Sequence, residues 1–368
     1  MPQDGGASLT LNRWSRDDIP VPNNQLKNVT TKSAFPACLI TFPFNVEGKT
    51  APFFLAAEEY VAAALPADNY LFAWILPPTV VMGRNQVADA EVDMEFCQRE
   101  GIDVVRRKSG GGCIYADEGN IMFSLITPEG AVEPIFNDYA STVAEALTSI
   151  GVEAKVSGRN DILLANGTKV CGNAFYHLKN RNIVHGTMLY DTNYNRMTRA
   201  LTPDRLKLES AGVKSVKSRT GLIKEVLEIG VYGLRSKLER LLTNRIWELK
   251  PEDILAIEEI ERTYRDPEYL YGKKSLNEKN ITFSGRVEGC GRIEMHFVTQ
   301  QERVADVFLT GDFFAHGDSD TAFRKTFKGV PMQTRALAEA VLTHHPETSV
   351  RGLSAESLIH LLETQLTE

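Results

Sequence analysis

Residues 106–120 read RRKSGGGCIYADEGN, and the three consecutive glycines at 110–112 constrain the fold more than any other feature of the chain. Glycine accepts positive φ and close backbone approach without steric penalty, so the run is a turn. The segments on either side, IDVVRR (102–107) and NIMFSLI (120–126), have the β-branched and aromatic content of strands. Successive N–H groups in such a turn can form an anion-binding nest, and the guanidinium groups of Arg106 and Arg107 suit phosphate or carboxylate. The same residues also suit a tight hairpin with surface arginines, and both readings stand at this point. The pattern is not GxxxxGK[ST], and no GxGxxG opens a helix, so it is neither a Walker loop nor a dinucleotide fingerprint.

A second block, GRNDILLANGTKVCGNAFYHLKNRNIVHGTMLY, covers 158–190. Lys169 lies there on an expected strand among small residues that let a ligand come close. It can bridge an α-phosphate and a substrate carboxylate, offsetting their repulsion, or it can simply be solvated. Asn160 and Asp161 can border a ribose, a magnesium ion or an acyl-adenylate, or form a turn entering a strand. Cys113 and Cys171 are candidate acyl-thioester nucleophiles only with a nearby base or a depressed pKa; otherwise they are inert buried thiols. His185 has an acid–base reading and a positioning or pocket-lining one.

With 368 residues the chain exceeds one ordinary core, and two domains are expected. A formal net charge of −7 shows no basic surplus, which argues against a free nucleic-acid binder. The five cysteines are scattered, with no CxxC, so they read as free thiols of a reducing compartment rather than a disulfide or zinc framework. No apolar run reaches the ~18–20 residues needed to span a bilayer. The N-terminus lacks the apolar core of a secretory signal and is too acidic for a transit peptide. The expectation is a cytoplasmic protein with a polar tail over 1–33.

Periodicity predicts a helix over 53–64 and one over 137–150 capped by Asn137. Strands are expected at 70–76, 79–83, 161–165, 168–175 and 183–190, with Asn166-Gly167 as a hairpin signal. From about 228 the pattern reads as helical through TNRIWEL, then through PEDILAIEEIERTY. A second β patch over 281–309 and amphipathic helices at 332–344 and 354–366 follow. Strands then helices, twice, predict two α+β domains, 34–250 and 251–368.

Several blocks together resemble the lipoate–protein ligase A family. They are FFLAAEEYV (53–61), GRNQ (83–86), RRKSGGGCIYADEGN (106–120), GRND (158–161), GTKVCGNA (167–174), HGTML (185–189) and PDRLKLESAGVKSVKSRTGLI (203–223). The resemblance runs from about residue 50 to the end, and 281–314 is similar to the accessory domain of self-sufficient ligases. It implies a biotin/lipoate ligase, class II synthetase-like α+β catalytic domain plus a small α+β C-terminal accessory domain. It also implies ATP-dependent activation of lipoate to lipoyl-AMP with Mg2+, then transfer to one lysine of a lipoyl domain of a 2-oxoacid dehydrogenase E2 subunit or of glycine cleavage H protein.

By the same resemblance, Arg107, Gly112, Cys113, Ile114, Tyr115 and Lys169 would line the ATP site. Ser109, Gly110, Gly111, Lys169 and His185 would line the lipoate site, and Asn160 and Asp161 the adenylate and magnesium region. The chain departs from the family in having Ala116 where a histidine is common and Ala211 where a basic residue is common, while Lys207 matches. The alternatives are a lipoyl or octanoyl transferase acting without ATP and a non-catalytic lipoate-binding homologue.

Overall fold

The computed structural model describes residues 37–157, 161–178, 180–201, 219–272 and 281–366. The expected tail 1–33, Asn160, Lys207 and Ala211 lie outside them. The first part of the chain contributes strands β1 (Ala37–Thr41), β2 (Tyr70–Trp74), β3 (Thr79–Met82), β4 (Asp103–Arg106), β5 (Ile114–Ala116), β6 (Asn120–Pro128), β7 (Ala154–Ser157), β8 (Asp161–Leu164), β9 (Lys169–Leu178), β10 (Arg181–Leu189) and β11 (Thr243–Glu248). Among the described residues, eight of these form one sheet in the order β11-β1-β2-β6-β10-β9-β8-β7, and β4-β3-β5 form a small second sheet.

Strands β6 and β10 are buried along nearly their whole length because both faces of the large sheet are covered. Such strands read as continuous apolar runs rather than as alternation. On one face lies the helix Ala51–Ala64, whose Phe54 stacks on Trp74 with ring centroids 4.8 Å apart. Proline in its first turn suits its start. Its end falls at Leu65, which Pro66 holds in extended backbone with ψ 157°. The other face packs on the helices Val132–Ser149 and Val231–Leu242 through Phe123, Phe136, Leu147 and Leu234.

Two expectations need correction. The helix expected to begin at Asn137 begins at Val132, because Pro134 falls in its first turn, where a missing N–H breaks no hydrogen bond. Residues TNRIWE are not helical. They form β11, which pairs in parallel with β1. Local propensity there is weak, and the unpaired edge of β1 decides the conformation. The helix Ser319–Phe327 was not anticipated.

The C-terminal lobe consists of the antiparallel strands β12 (Ile281–Val287), β13 (Gly291–Gln300) and β14 (Arg303–Gly311), with helices against one face. Phe283, Met295, Phe297 and Leu309 from the sheet meet Phe323, Phe327, Leu337 and Leu358 from the helices. Its core is separate from that of the large sheet.

The helix Pro251–Arg265 belongs elsewhere. Its Ile254, Ile257 and Tyr264 are buried in the cluster that holds Phe53 and Phe54. Each such side chain contributes about 1.5–3 kcal/mol when fully buried. The surface pair that Glu258 of this helix makes with Lys49 contributes at most about 1 kcal/mol. Apolar packing therefore keeps this helix with the large sheet, and we propose that the lobe boundary lies beyond it rather than near 250.

Candidate active site

Strand β3 is central in the small sheet, parallel to β4 and antiparallel to β5. The glycine turn joins β4 to β5 and so must cross the end of β3. It is a crossover, not a tight hairpin. The contact is close: a Cβ placed on Gly83, just past β3, would lie 1.9 Å from the Gly111 carbonyl oxygen, and Gly111 itself has φ +87°. Both positions therefore require glycine.

The two arginines serve as scaffolding for this turn. Arg107 is buried and donates from Nε to Ser109 Oγ at 2.8 Å and from Nη1 to the Val81 carbonyl at 2.9 Å. Its Nη2 donates to the carbonyls of Gly110 and Gly112 at 2.8 and 2.9 Å. Burial pulls Arg107 down to about 10, so it stays charged at neutral pH. Arg106 spends its donors on the carbonyls of Gly83, Arg84, Gln86, Tyr269 and Leu270.

Beneath the turn runs a buried polar chain. Ser109 Oγ lies 2.7 Å from His185 Nε2, and His185 Nδ1 lies 3.0 Å from Glu58 Oε1. Ser124 Oγ donates to Glu58 at 2.6 Å and accepts from Trp74 Nε1 at 2.9 Å. Glu58 accepts from Ser124, and with its carboxylate facing Nδ1 the neutral imidazole tautomer carries its proton there and turns Nε2 as an acceptor toward the Ser109 hydroxyl. Every member has a partner, which is what burial of such groups demands. His185 thus lines the site and holds the turn, and its Nε2 is engaged by Ser109.

A cavity of about 180 Å³ lies between the turn and the large sheet. Leu55, Trp74, Val81, Ile114 and Met122 line it with apolar surface, and Lys169, Gly172, Asn173 and Thr187 supply the polar part. Lys169 Nζ is 2.6 Å from Asp161 Oδ1, and both side chains are about one-third exposed. This is an accessible ammonium at the wall of an apolar pocket.

Of the residues expected from sequence, the structure brings Arg107, Gly111, Gly112, Cys113, Ile114, Lys169 and His185 to the cavity wall. Ser109, Gly110, Tyr115 and Asp161 are not among its lining residues. Ser109 is fully buried below the turn, and Tyr115 is buried on the opposite face from Ile114, as strand alternation requires. Asp161 reaches the site only through Lys169.

Burial pushes the Cys113 and Cys171 thiols up to about 12, so neither is a ready nucleophile. Ala116 is fully buried in the cluster with Val81 and Val105, so its position is one of packing. Sequence reasoning missed Trp74, Met122 and Thr187, which lie on strands that read only as core, and Phe314, which comes from the other lobe. The repeated Glu58-Glu59 within an otherwise apolar helix was the available signal for Glu58.

Comparison with known proteins agrees with this geometry. Residues 51–241 match the lipoyl protein ligase A/B catalytic domain, and residues 277–362 match the bacterial lipoate protein ligase C-terminus. Fold and matches together define a ligase of mixed α/β architecture with a small C-terminal sheet lobe.

The chain belongs to the lipoate–protein ligase family. It is 35% identical to the lipoate-protein ligase LplJ of Bacillus subtilis over 72% of this chain and 82% of that protein. It is 33% identical to lipoate–protein ligase 1 of Staphylococcus aureus, with the same coverage. Among solved structures, P. falciparum LipL1 in complex with lipoate has 19% identity and a TM-score of 0.70, covering 90% of this chain and 98% of that one. The archaeal bipartite ligase of Thermoplasma acidophilum, described with its E2 lipoyl domain, has 21% identity and a TM-score of 0.59 over 66% and 99% of the two chains. A lipoate-protein ligase A bound with ATP has 21% identity and a TM-score of 0.55 over 65% and 99%. At these identities the structural likeness is one of fold.

Proposed function

We propose that the protein is an ATP-dependent lipoate–protein ligase. In this reading a lipoate carboxylate oxygen attacks the α-phosphorus of ATP, giving lipoyl-AMP and pyrophosphate. The ε-amino group of an acceptor lysine then attacks the acyl carbon, and AMP leaves. The observation that carries the reading is Lys169, about one-third exposed at the wall of an apolar cavity beside a glycine crossover. Carboxylate and phosphate are both anionic, and an ammonium placed between them offsets their repulsion most where charge develops in the transition state. The apolar wall of Leu55, Trp74 and Met122 suits a hydrocarbon and dithiolane tail.

Lys169 must exchange Asp161 for the substrates as they enter. Asp161 then becomes a carboxylate available to a magnesium ion carried on the phosphates. Magnesium commonly keeps several waters and takes one or two carboxylates. The raised thiol pKa values weigh against a cysteine-based transferase route.

The acceptors proposed are lipoyl domains of 2-oxoacid dehydrogenase E2 subunits and glycine cleavage H protein. Among the described residues no helix is long and apolar enough to cross a membrane. Lipoate-dependent exchange of pyrophosphate into ATP, with magnesium and no acceptor, tests the first step. Exchange above the no-lipoate control is expected, and its absence in folded, lipoate-binding protein would sink the adenylation mechanism.

A further inference from the structure

We propose that Phe314, from the C-terminal lobe, is a substrate-contacting residue whose ring completes the wall of the acyl pocket and helps set which acid is held there. The inference rests on the ligase reading above and adds a residue from the second lobe to the binding site.

Phe314 follows the end of β14, and its backbone is fixed from both lobes. The Gly311 N–H donates to the Asn85 carbonyl at 3.0 Å, the Gly111 N–H to the Phe313 carbonyl at 3.2 Å, and the Arg351 N–H to the Phe314 carbonyl at 2.9 Å. The seat is tight. A Cβ on Gly110 would lie 2.3 Å from the Phe313 carbonyl oxygen, and one on Gly111 would lie 3.1 Å from the Phe314 ring. The glycine run that crosses β3 therefore also leaves room for this segment.

Phe314 is 3% exposed, and its ring stacks on Phe175 with centroids 5.4 Å apart and planes at 20°. The Arg351 guanidinium sits 5.5 Å from the centroids of both Phe175 and Phe136, and Arg351 Nε is 3.4 Å from Glu133. One side of the Phe314 ring is thus clamped to the catalytic lobe, while the residue also lines the cavity beside Gly111 and Lys169. Phe314 therefore belongs both to the packed seam between the lobes and to the cavity wall. A large aromatic group there supplies apolar area to a hydrocarbon chain and limits its bulk.

The test titrates lipoate, octanoate and a bulkier phenyl-substituted carboxylic acid into the full-length protein by calorimetry. Wild type, Phe314→Ala, Phe314→Leu and Arg351→Ala are compared, with KM values for lipoate and ATP from pyrophosphate exchange. Arg351 does not line the cavity, so Arg351→Ala loosens the same clamp without touching the pocket. The expected result for Phe314→Ala is weaker lipoate binding by about tenfold, an ATP KM within about twofold of wild type, and relative gain for the bulkier acid. Phe314→Leu should recover most lipoate affinity, and Arg351→Ala should keep the wild-type order of acids.

If Phe314→Ala matches wild type or Arg351→Ala in affinity and in order of acids, the ring is only an anchor and the proposal is overturned. If wild type neither binds lipoate nor supports exchange, the functional reading fails first, and this inference fails with it.

Discussion

The Ser109 hydroxyl lies 2.7 Å from His185 Nε2, joining two residues 76 positions apart in the chain. Through it the glycine crossover of the small sheet is tied to β10 of the large sheet, and through Glu58 to the helix Ala51–Ala64. Behind the cavity wall at His185, a polar chain therefore ties the crossover to β10 and the helix Ala51–Ala64, and through Ser124 and Trp74 to β6 and β2. Its geometry has consequences for stability as well as for binding.

Removing either end of the His185–Glu58 contact strands a buried polar partner. His185→Ala and Glu58→Ala should each cost about 1–3 kcal/mol, because the remaining group keeps its desolvation penalty without its hydrogen bond. Urea denaturation at neutral pH measures this. In the double variant the two losses should be clearly less than additive, since the second deletion removes the group that the first left unpaired.

Arg107→Lys should not behave as a conservative change. One ammonium cannot reach Ser109 Oγ and the carbonyls of Val81, Gly110 and Gly112 together, as the planar fork does. A loss of about 2–3 kcal/mol is expected in denaturant unfolding, with weaker nucleotide and acid binding following from a loosened turn. Unchanged stability would show that the turn holds its shape without the guanidinium.

Lys169→Ala should leave the fold intact, because the side chain is 37% exposed and its pair with Asp161 is a surface pair worth at most about 1 kcal/mol. Lipoate-dependent pyrophosphate exchange should nevertheless fall by about 100-fold or more, the usual scale for removing a preorganised electrostatic group. Full activity in this variant would remove Lys169 from the mechanism.

Native Cys113 and Cys171 should react slowly with iodoacetamide across pH 7–9. Burial raises both thiols to about 12, and the thiolate is the reactive form, so its fraction grows appreciably only as pH approaches that value. Mass spectrometry of the alkylated protein checks the rate. Cys113→Ala should retain exchange and transfer; a loss of transfer alone would revive a thioester route.

Much of the fold was legible along the chain because its signals are local. The strands of the large sheet are apolar runs bounded by turns, and the C-terminal helices carry apolar faces at helical spacing. The readings that failed are those in which a distant partner decides. TNRIWE is a strand because β1 presents an edge to it, and Pro251–Arg265 joins the large lobe because Phe53 and Phe54 offer a surface for Ile254, Ile257 and Tyr264.

The candidate site divides in the same way. Residue types singled out the glycine turn, the paired arginines, Lys169 and His185 as candidates, and the order and spacing of the family blocks turned those candidates into an expected site. Only tertiary structure decided that Arg107 braces the turn through all three nitrogens of its guanidinium. It also showed that Glu58 and Ser124 complete the chain to His185, and that Phe314 reaches the cavity from a lobe with its own core. Sequence by itself determined the family and which side chains are available for chemistry, since side-chain identity is local. Which of those groups face the cavity and which are consumed in holding it together depends on contacts between residues tens to hundreds of positions apart, and those exist only in the packed fold.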